Sequence, residues 1–363
     1  MNCLHCLRAN VTLPKIKYMR YLHSIRIVLV IVTGLISGNL AAQTPQYQLI
    51  KKTVIGGEGG WDYLSVDSEN RRIYVSHGTK VEVLNADTHE KVGEIPDLKG
   101  VHGVIAVPKS GRGITTNGRS NSVTIFDLKT LKPIVELPTG KNPDALLYDE
   151  FSKRVFIFNH SDTTTTVIDI EAGKVVGTIN VGGTALEAGT TDGKGTIFLN
   201  LEDIHEIVSF DAKTLAIKSH WKIAPGEEPT GLAIDTKTKR LFSVCHNGWM
   251  MVVDSEKGNV VAQVPIGKRV DGVVFDPKSK RAFSSNGEGT ITVVEEVSAN
   301  EFKVVETIKT EPGARTIAFD PKTQHVFVST AQYGETPAAT AEVPNPRPKV
   351  IPGTFMILEY GKK

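Results

Sequence analysis

Cysteine, unbalanced charge and long apolar runs are all scarce in this chain of 363 residues. Two of the three cysteines, Cys3 and Cys6, lie within the first 42 residues. If that segment is removed, Cys245 alone remains, and the folded protein can form no internal disulfide. The patterns Gly-x-Ser-x-Gly, His-Glu-x-x-His and Cys-x-x-Cys-His are also missing, and the last absence excludes covalent haem attachment.

One apolar run stands near the beginning of the chain, at residues 27–36. It follows Arg20 and Arg26, precedes the small residues Ala41 and Ala42, and is too short to span a membrane. This arrangement predicts a secretory signal peptide over residues 1–42, with cleavage near Ala42 and Met19 as an alternative start. No cysteine lies at the cleavage site, so we expect a periplasmic or secreted protein without a lipid anchor.

Excess charge of either sign is missing once the leader is set aside. The chain has 42 basic and 40 acidic residues, and the leader holds five of the basic residues and no acid, which leaves 37 against 40. A mildly acidic protein lacks the electrostatic footprint of a general nucleic-acid binder. We therefore expect no nucleic-acid partner and, after cleavage, no membrane span.

A repeat of roughly 40 residues occupies the rest of the chain. Each copy has an apolar strand, a turn and a second strand that begins near a basic residue. Examples are Tyr63-Leu-Ser-Val-Asp67 followed by Arg72-Ile-Tyr-Val-Ser-His77, and Gly231-Leu-Ala-Ile-Asp235 followed by Arg240-Leu-Phe-Ser-Val-Cys245. Short strands at this period are typical of a β-propeller.

A polar residue stands just before most of the first strands and marks the register of each repeat. Seven such marks, spaced by 40 to 44 residues, predict seven blades in one all-β domain over residues 43–363. The last repeat supplies only three strands, so we expect residues 47–55 to complete its blade and close the ring. The marks are Asp62, His102, Asp144, Glu187, Thr230, Asp271 and Arg315.

A proline-rich loop interrupts the last blade at residues 331–353, with five of the 18 prolines of the chain. Two interpretations stay open. Proline-rich segments act as rigid spacers, whereas long loops in compact domains often cover a functional site.

The marks and the ends of the second strands should meet at one mouth of the central channel. Histidines and carboxylates that converge in a cleft suit a divalent metal ion or general acid–base chemistry. We expect one divalent ion at most, with His77 and His102 as its ligands. The candidate ligand-binding residues are Asp62, His77, His102, Asn117, Asp144, Asn159, Glu187, His246, Asp271, Asn286 and Arg315.

A purely structural interpretation of the same residues stays open beside this one. Strand-end asparagines such as Asn117 serve turns, and Arg315 can simply pair with Asp271 or Asp62. Cys245 has no second cysteine to pair with and is interpreted as a small filler.

The strands resemble the YVTN repeat of the YncE-like propellers. The resemblance lies in Tyr74-Val-Ser-His77, Phe156-Ile-Phe-Asn159 and Phe327-Val-Ser-Thr330, and in the third strands Val123-Thr-Ile-Phe-Asp127 and Val167-Ile-Asp-Ile170. It implies a seven-bladed propeller exported by a bacterium. The family includes a member associated with DNA binding, and other seven-bladed relatives are lyases, lactonases or haem-binding domains.

Three functions follow as hypotheses. The first is an exported, monomeric propeller that binds a small molecule, a peptide or a glycan at the mouth. The second is a metal-dependent lyase or hydrolase that uses the same mouth. The third, disfavoured by the acidic charge, is single-stranded DNA binding.

Overall fold

The computed structural model describes residues 46–340 and 346–362. The predicted signal peptide at residues 1–42 lies outside the described residues. Within them, no helix is long and apolar enough to cross a membrane.

The described chain forms seven four-stranded antiparallel sheets, arranged as the blades of a propeller, which confirms the predicted fold class. In blades 1 to 6, strands a, b, c and d follow one another along the chain and pair in that order. Two short 3-10 turns, Pro108–Ser110 and Gly118–Ser120, belong to blade 2. The strands are β2 Leu64–Asp67, β3 Arg72–His77, β4 Lys80–Asn85 and β5 Lys91–Ile95 in blade 1; β6 Val101–Val107, β7 Arg112–Asn117, β8 Ser122–Asp127 and β9 Pro133–Pro138 in blade 2; β10 Pro143–Asp149, β11 Arg154–Asn159, β12 Thr164–Asp169 and β13 Lys174–Asn180 in blade 3; β14 Leu186–Thr191, β15 Thr196–Leu201, β16 Glu206–Asp211 and β17 Ile217–Lys222 in blade 4; β18 Pro229–Asp235, β19 Arg240–Cys245, β20 Trp249–Asp254 and β21 Val260–Pro265 in blade 5; β22 Val270–Asp276, β23 Arg281–Asn286, β24 Thr290–Ser298 and β25 Glu301–Lys309 in blade 6; and β26 Ile317–Asp320, β27 His325–Thr330 and β28 Met356–Lys362 in blade 7.

Blade 7 is completed by a strand from the other end of the domain, as predicted. Strand β1, Tyr47–Val54, pairs antiparallel with β28, so the order in this sheet is β1-β28-β27-β26. Two histidines contact Glu359 of β28. His325 Nδ1, in the same blade, lies 2.6 Å from Glu359 Oε1, and Nε2 of the buried His89, in blade 1, lies 3.2 Å from Glu359 Oε2. The pairing of β1 with β28 and these side-chain contacts therefore both hold the two ends of the ring together.

The core lies between adjacent blades and consists of their inward-facing side chains. One apolar cluster, for example, joins Phe156 and Phe158 of blade 3 to Leu199 and Phe210 of blade 4. Alternation along each strand places these residues on the faces that meet the next blade, and their burial supplies most of the stabilisation.

The basic residue that opens strand b has a structural role between blades. Arg154 Nη1 donates to the carbonyl oxygens of Ala212 and Lys213, at 3.0 and 2.8 Å, in the c–d turn of the following blade. The same bond from one blade to the next is made by Arg72 to Leu128, by Arg112 to Ile170 and Glu171, and by Arg240 to Ala299. The repeated arginine thus fastens each of these blades to its neighbour.

Replacement of one such arginine is expected to cost stability without affecting the mouth. Arg154→Met keeps the apolar stem but removes the guanidinium, and we expect a loss of about 1.5 kcal/mol in the free energy of unfolding, which is typical of hydrogen bonds from a charged donor. Urea denaturation measures it. The exposed neighbour Lys174 provides the control, because Lys174→Met should change the stability little; equal losses in the two variants would contradict the role of Arg154.

The two ends of the proline-rich loop pair with each other in a short antiparallel stretch. Gly334 N donates to Lys349 O and Ile351 N donates to Gln332 O, both at 2.8 Å, and Tyr333 pairs with Val350. Its return arm lies against the glycine-rich segment 56–60, where Gly353 N donates to Gly57 O at 3.2 Å. These contacts anchor the base of the loop beside the mouth, and they support neither the spacer nor the lid interpretation over the other.

Candidate functional site

The polar marks lie where strand a begins, and most of them lie at a break in the strand register. In blades 2 to 6 the pairing of strand a with strand b shifts close to the mark, for example between Val101 and Val104 and between Pro143 and Leu146. Such bulges re-aim a side chain out of the regular alternation. The bulges therefore orient the side chains of His102 and Asp144 differently from what the regular alternation of a β-strand would give.

Five side chains at this edge form a continuous series in which carboxylates and imidazoles alternate. We call Asp62, His102, Asp144, His160 and Glu187 the mouth row. His102 Nδ1 lies 2.7 Å from Asp62 Oδ2 and 3.5 Å from Asp144 Oδ1. His160 Nδ1 lies 4.0 Å from Asp144 Oδ2 and 3.0 Å from Glu187 Oε1. The row thus spans blades 1 to 4.

Arg315 lies in blade 7, which adjoins blade 1. Its guanidinium pairs with Asp271 and lies 3.3 Å from Asp62 Oδ1. Asp62 is therefore shared between a permanent cation and a histidine. The pairing that the structural interpretation foresaw is present, but the mouth row extends beyond it.

The two imidazoles of the mouth row are stabilised in their charged form. The Glu187 carboxylate, 3.0 Å away, raises the pKa of His160 to about 9, against the opposing effect of burial. Burial also opposes the imidazolium of His102, but the hydrogen bond to Asp62 and the charge of Asp144 outweigh it and raise the pKa of His102.

The central carboxylates are hindered from ionising. Burial, reinforced by the charge of Asp62, holds the pKa of Asp144 well above its usual range. Burial likewise raises the pKa of Glu187 to about 7, although His160 acts against it. Asp144 Oδ1 is a buried atom with no hydrogen-bond partner among the described residues, and His160 Nδ1 is buried without a well-aligned one, although Glu187 Oε1 lies 3.0 Å away. The mouth row therefore holds more carboxyl groups and more buried polar atoms than its own contacts satisfy.

Tyr63 lies directly beneath this charge. It follows Asp62 and packs against the apolar cluster of blades 3 and 4, so its ring extends across the channel from blade 1. Burial raises the pKa of Tyr63 well above its usual range, and the carboxylates of Asp144 and Glu187 add to the effect. Its phenol is therefore a neutral hydrogen-bonding group at the floor of the mouth.

Sequence reasoning missed Tyr63, although the repeat contains a signal for it. Every other blade has a small residue directly after the mark, which leaves the channel open. Blade 1 departs from this rule with a tyrosine. The small residues are Gly103, Ala145, Ala188, Gly231, Gly272 and Thr316.

Below the mouth the channel is apolar. A cavity of ≈ 290 Å³ is lined by the first strands of all seven blades and reaches up to Tyr63 and Asp271. Leu64, Val104 and Leu232 are among its walls. The site therefore combines a charged entrance with an apolar interior, as many small-molecule sites do.

The predicted second ring, formed by the ends of strand b, does not line the mouth. The side chains of Asn117, Asn159 and Asn286 are fully buried inside their blades. Each amide donates to threonine oxygens of strand c: Asn117 to Thr124, Asn159 to Thr166 and Asn286 to Thr292, at 2.9 to 3.1 Å. These residues hold strands b and c together, because the last position of strand b faces the neighbouring strand and not the axis.

His77 lies apart from the mouth row for the same reason. It is 1% exposed, its ring lies 4.5 Å from the ring of Phe355, and Nδ1 lies 3.5 Å from Glu82 Oε1. Gly57 covers it so closely that an added Cβ would lie 2.8 Å from the imidazole. Among the described residues, the groups of three metal-type donors include His102 but not His77. The structure therefore does not bring the expected pair, His77 and His102, together as ligands of one ion.

His246 lies in an exposed group of its own on the same face. Its Nδ1 is 3.5 Å from Glu202 Oε1 and 3.3 Å from Glu228 Oε2. In the described part of the chain, three groups could hold a metal ion: Asp62 with His102 and Asp144, Asp144 with His160 and Glu187, and Glu202 with Glu228 and His246. The first two share Asp144 and are the more enclosed.

Comparison with known proteins shows the fold and nothing finer. The chain matches no protein-family model and no curated protein sequence. A chain in the crystal structure of a mitotic checkpoint complex is similar in structure, with a TM-score of 0.70 and 13% identity over 87% of this chain and 94% of that one. A chain of the hydrazine synthase of Kuenenia stuttgartiensis has a TM-score of 0.64 and 15% identity over 83% of this chain and 97% of that one. The protein is thus a seven-bladed β-propeller, a fold suited to ligand binding.

Proposed function

We propose that this propeller is an exported, YncE-like binding protein that takes its ligand at the mouth of the central channel. The observation that carries the proposal is the passage from the mouth row, past Tyr63, into the apolar cavity. The charged groups would fix one polar end of the ligand, and the strand-a side chains would enclose its apolar part. Export rests on the predicted leader, and the family assignment on the resemblance of the repeats.

The size of the channel favours a small molecule over a peptide or a glycan. Sites for drug-sized molecules enclose about 300–1,000 Å³, and the channel cavity of ≈ 290 Å³ lies at the lower limit of that range. A folded peptide or a long glycan would not fit inside it.

A thermal-shift screen of a metabolite library against the purified protein tests this function. The matched variant is Ala188→Phe, which would fill the channel from blade 4 without replacing a charged side chain. We expect true ligands to stabilise the wild type and to lose at least tenfold in affinity in the variant, by calorimetry. Ligands that bind both proteins equally would contradict a site in the channel.

A metal-dependent lyase or hydrolase is the second candidate. The observation that favours it is the pair of donor groups that share Asp144. A bound divalent ion would polarise a substrate oxygen or activate water, while the neutral phenol of Tyr63 would hydrogen-bond the substrate from below.

A further inference from the structure

Asp144 presents its two carboxylate oxygens to two different histidines. Oδ1 lies 3.5 Å from His102 Nδ1, whereas Oδ2 lies 4.0 Å from His160 Nδ1. A carboxylate in this position can bridge two metal ions, one on each oxygen. Two ions that share a bridging ligand in proteins lie about 3.5–4 Å apart.

Each half of the mouth row repeats the same set of donors. On one side Asp62 Oδ2 lies 2.7 Å from His102 Nδ1, and on the other Glu187 Oε1 lies 3.0 Å from His160 Nδ1. An ion about 2.1 Å from each of its ligands separates neighbouring donor atoms by about 3 to 4 Å. The donor spacing therefore already suits two ions, with only small movements of side chains.

Burial and charge support a site that is built for cations. The side chain of Glu187 is only 9% exposed, and Asp144 Oδ1 is buried without a hydrogen-bond partner among the described residues. Three carboxylates converge here, and Arg315 reaches only Asp62 of the three. Two divalent ions and one bound hydroxide would neutralise the three carboxylates, and mixed imidazole and carboxylate donors suit first-row transition metals.

We propose that the mouth row is a two-metal centre in which Asp144 bridges one divalent transition-metal ion held by Asp62 and His102 and a second held by His160 and Glu187. This inference deepens the proposed function, on which it rests for the role of the mouth. Coordination positions not taken by these side chains would be open to a ligand in the channel, so a carboxylate or phosphate group would bind across both ions.

Metal titrations of the purified protein test the centre directly. After removal of bound metal with a chelator, calorimetry with Zn²⁺ should give two ions per chain in the wild type and one each in His102→Ala and His160→Ala. Asp144→Asn, which preserves the shape of the side chain, should weaken both ions by more than about 100-fold. His220→Ala is the matched control, because His220 also pairs with a carboxylate, Glu206, but lies on β17, away from the mouth.

Mn²⁺ gives a second readout that does not depend on the number of ions measured by calorimetry. Two neighbouring Mn²⁺ ions couple and broaden the six-line electron paramagnetic resonance signal, and the signal of an isolated ion should return in His160→Ala. A single ion lost in both histidine variants, no bound ion, or loss of one ion in His246→Ala would each overturn the two-metal centre. Ala188→Phe should keep both ions while it loses the ligand, so failure of the binding function is distinguishable from failure of the centre.

Discussion

A chain from which residues 46–54 are deleted is expected to lose the folded propeller at room temperature. The deletion removes β1, exposes the paired edge of β28 and takes away Tyr47, which is 3% exposed and packs edge-on against Phe283 at 5.2 Å. Loss of a buried aromatic side chain alone costs about 3–5 kcal/mol, and whole domains have about 5–15 kcal/mol. Circular dichroism melting and size-exclusion chromatography should show an unfolded or aggregated chain.

Two point variants separate the strand from its side chains. Tyr47→Ala should fold but lose about 3 kcal/mol, whereas Leu49→Ala should be nearly neutral, since Leu49 is 46% exposed. Addition of a synthetic peptide of residues 46–55 should restore the melting transition of the deleted chain. A deleted chain that melts like the wild type would show that β1 does not close the ring.

Stability is expected to fall as the pH rises from about 4 to 7, because of Glu296. This glutamate, on the third strand of blade 6, is 2% exposed, and neither carboxylate oxygen has a hydrogen-bond partner among the described residues. Burial raises its pKa to about 7, and Asp235 adds to the effect. The unfolded chain releases this proton near pH 4.3 while the folded chain keeps it, so the folded state loses about 3 kcal/mol across that interval.

Glu296→Gln removes the titration while it keeps the size of the side chain. We expect the variant to match the wild type at pH 4 and to exceed it by about 3 kcal/mol at pH 8, as measured by urea denaturation. Glu295→Gln is the control, because it makes the same substitution on the same strand at a side chain that is 40% exposed. A gain at pH 8 that also appears at pH 4 would mean that burial of the charge is not its cause.

The blade count and the closing strand could be predicted because both depend on a repeat. A period of about 40 residues with one polar mark in each copy leaves few alternatives, and a last blade of three strands needs a partner. The arginine that begins strand b was visible as a pattern, but its bond to the next blade was not. That bond joins residues up to 59 positions apart, and only the curvature of the ring brings them together.

The candidate site was predicted in part, and its errors have one physical source. Antiparallel pairing brings the start of strand a and the end of strand b to the same edge of each blade, so the sequence predicts both in the mouth. Bulges turn marks such as Asp144 toward the axis, while the regular end of strand b keeps Asn159 and His77 inside the blade. His160 was not among the candidate residues, because its position between two carboxylates depends on the conformation of the turn, which a single sequence does not show.

The pairing of β1 with β28 in blade 7 also determines how the ring would respond to force. Tyr47 lies opposite Lys362, and the pairing runs from there to Val54 and Met356. Tension applied at Tyr47 and Lys362 would therefore load the hydrogen bonds of β1 and β28 one after another, as in a zipper, and not all together in shear. The contact that closes the propeller against thermal opening is thus the one that gives way first when the two ends are pulled apart.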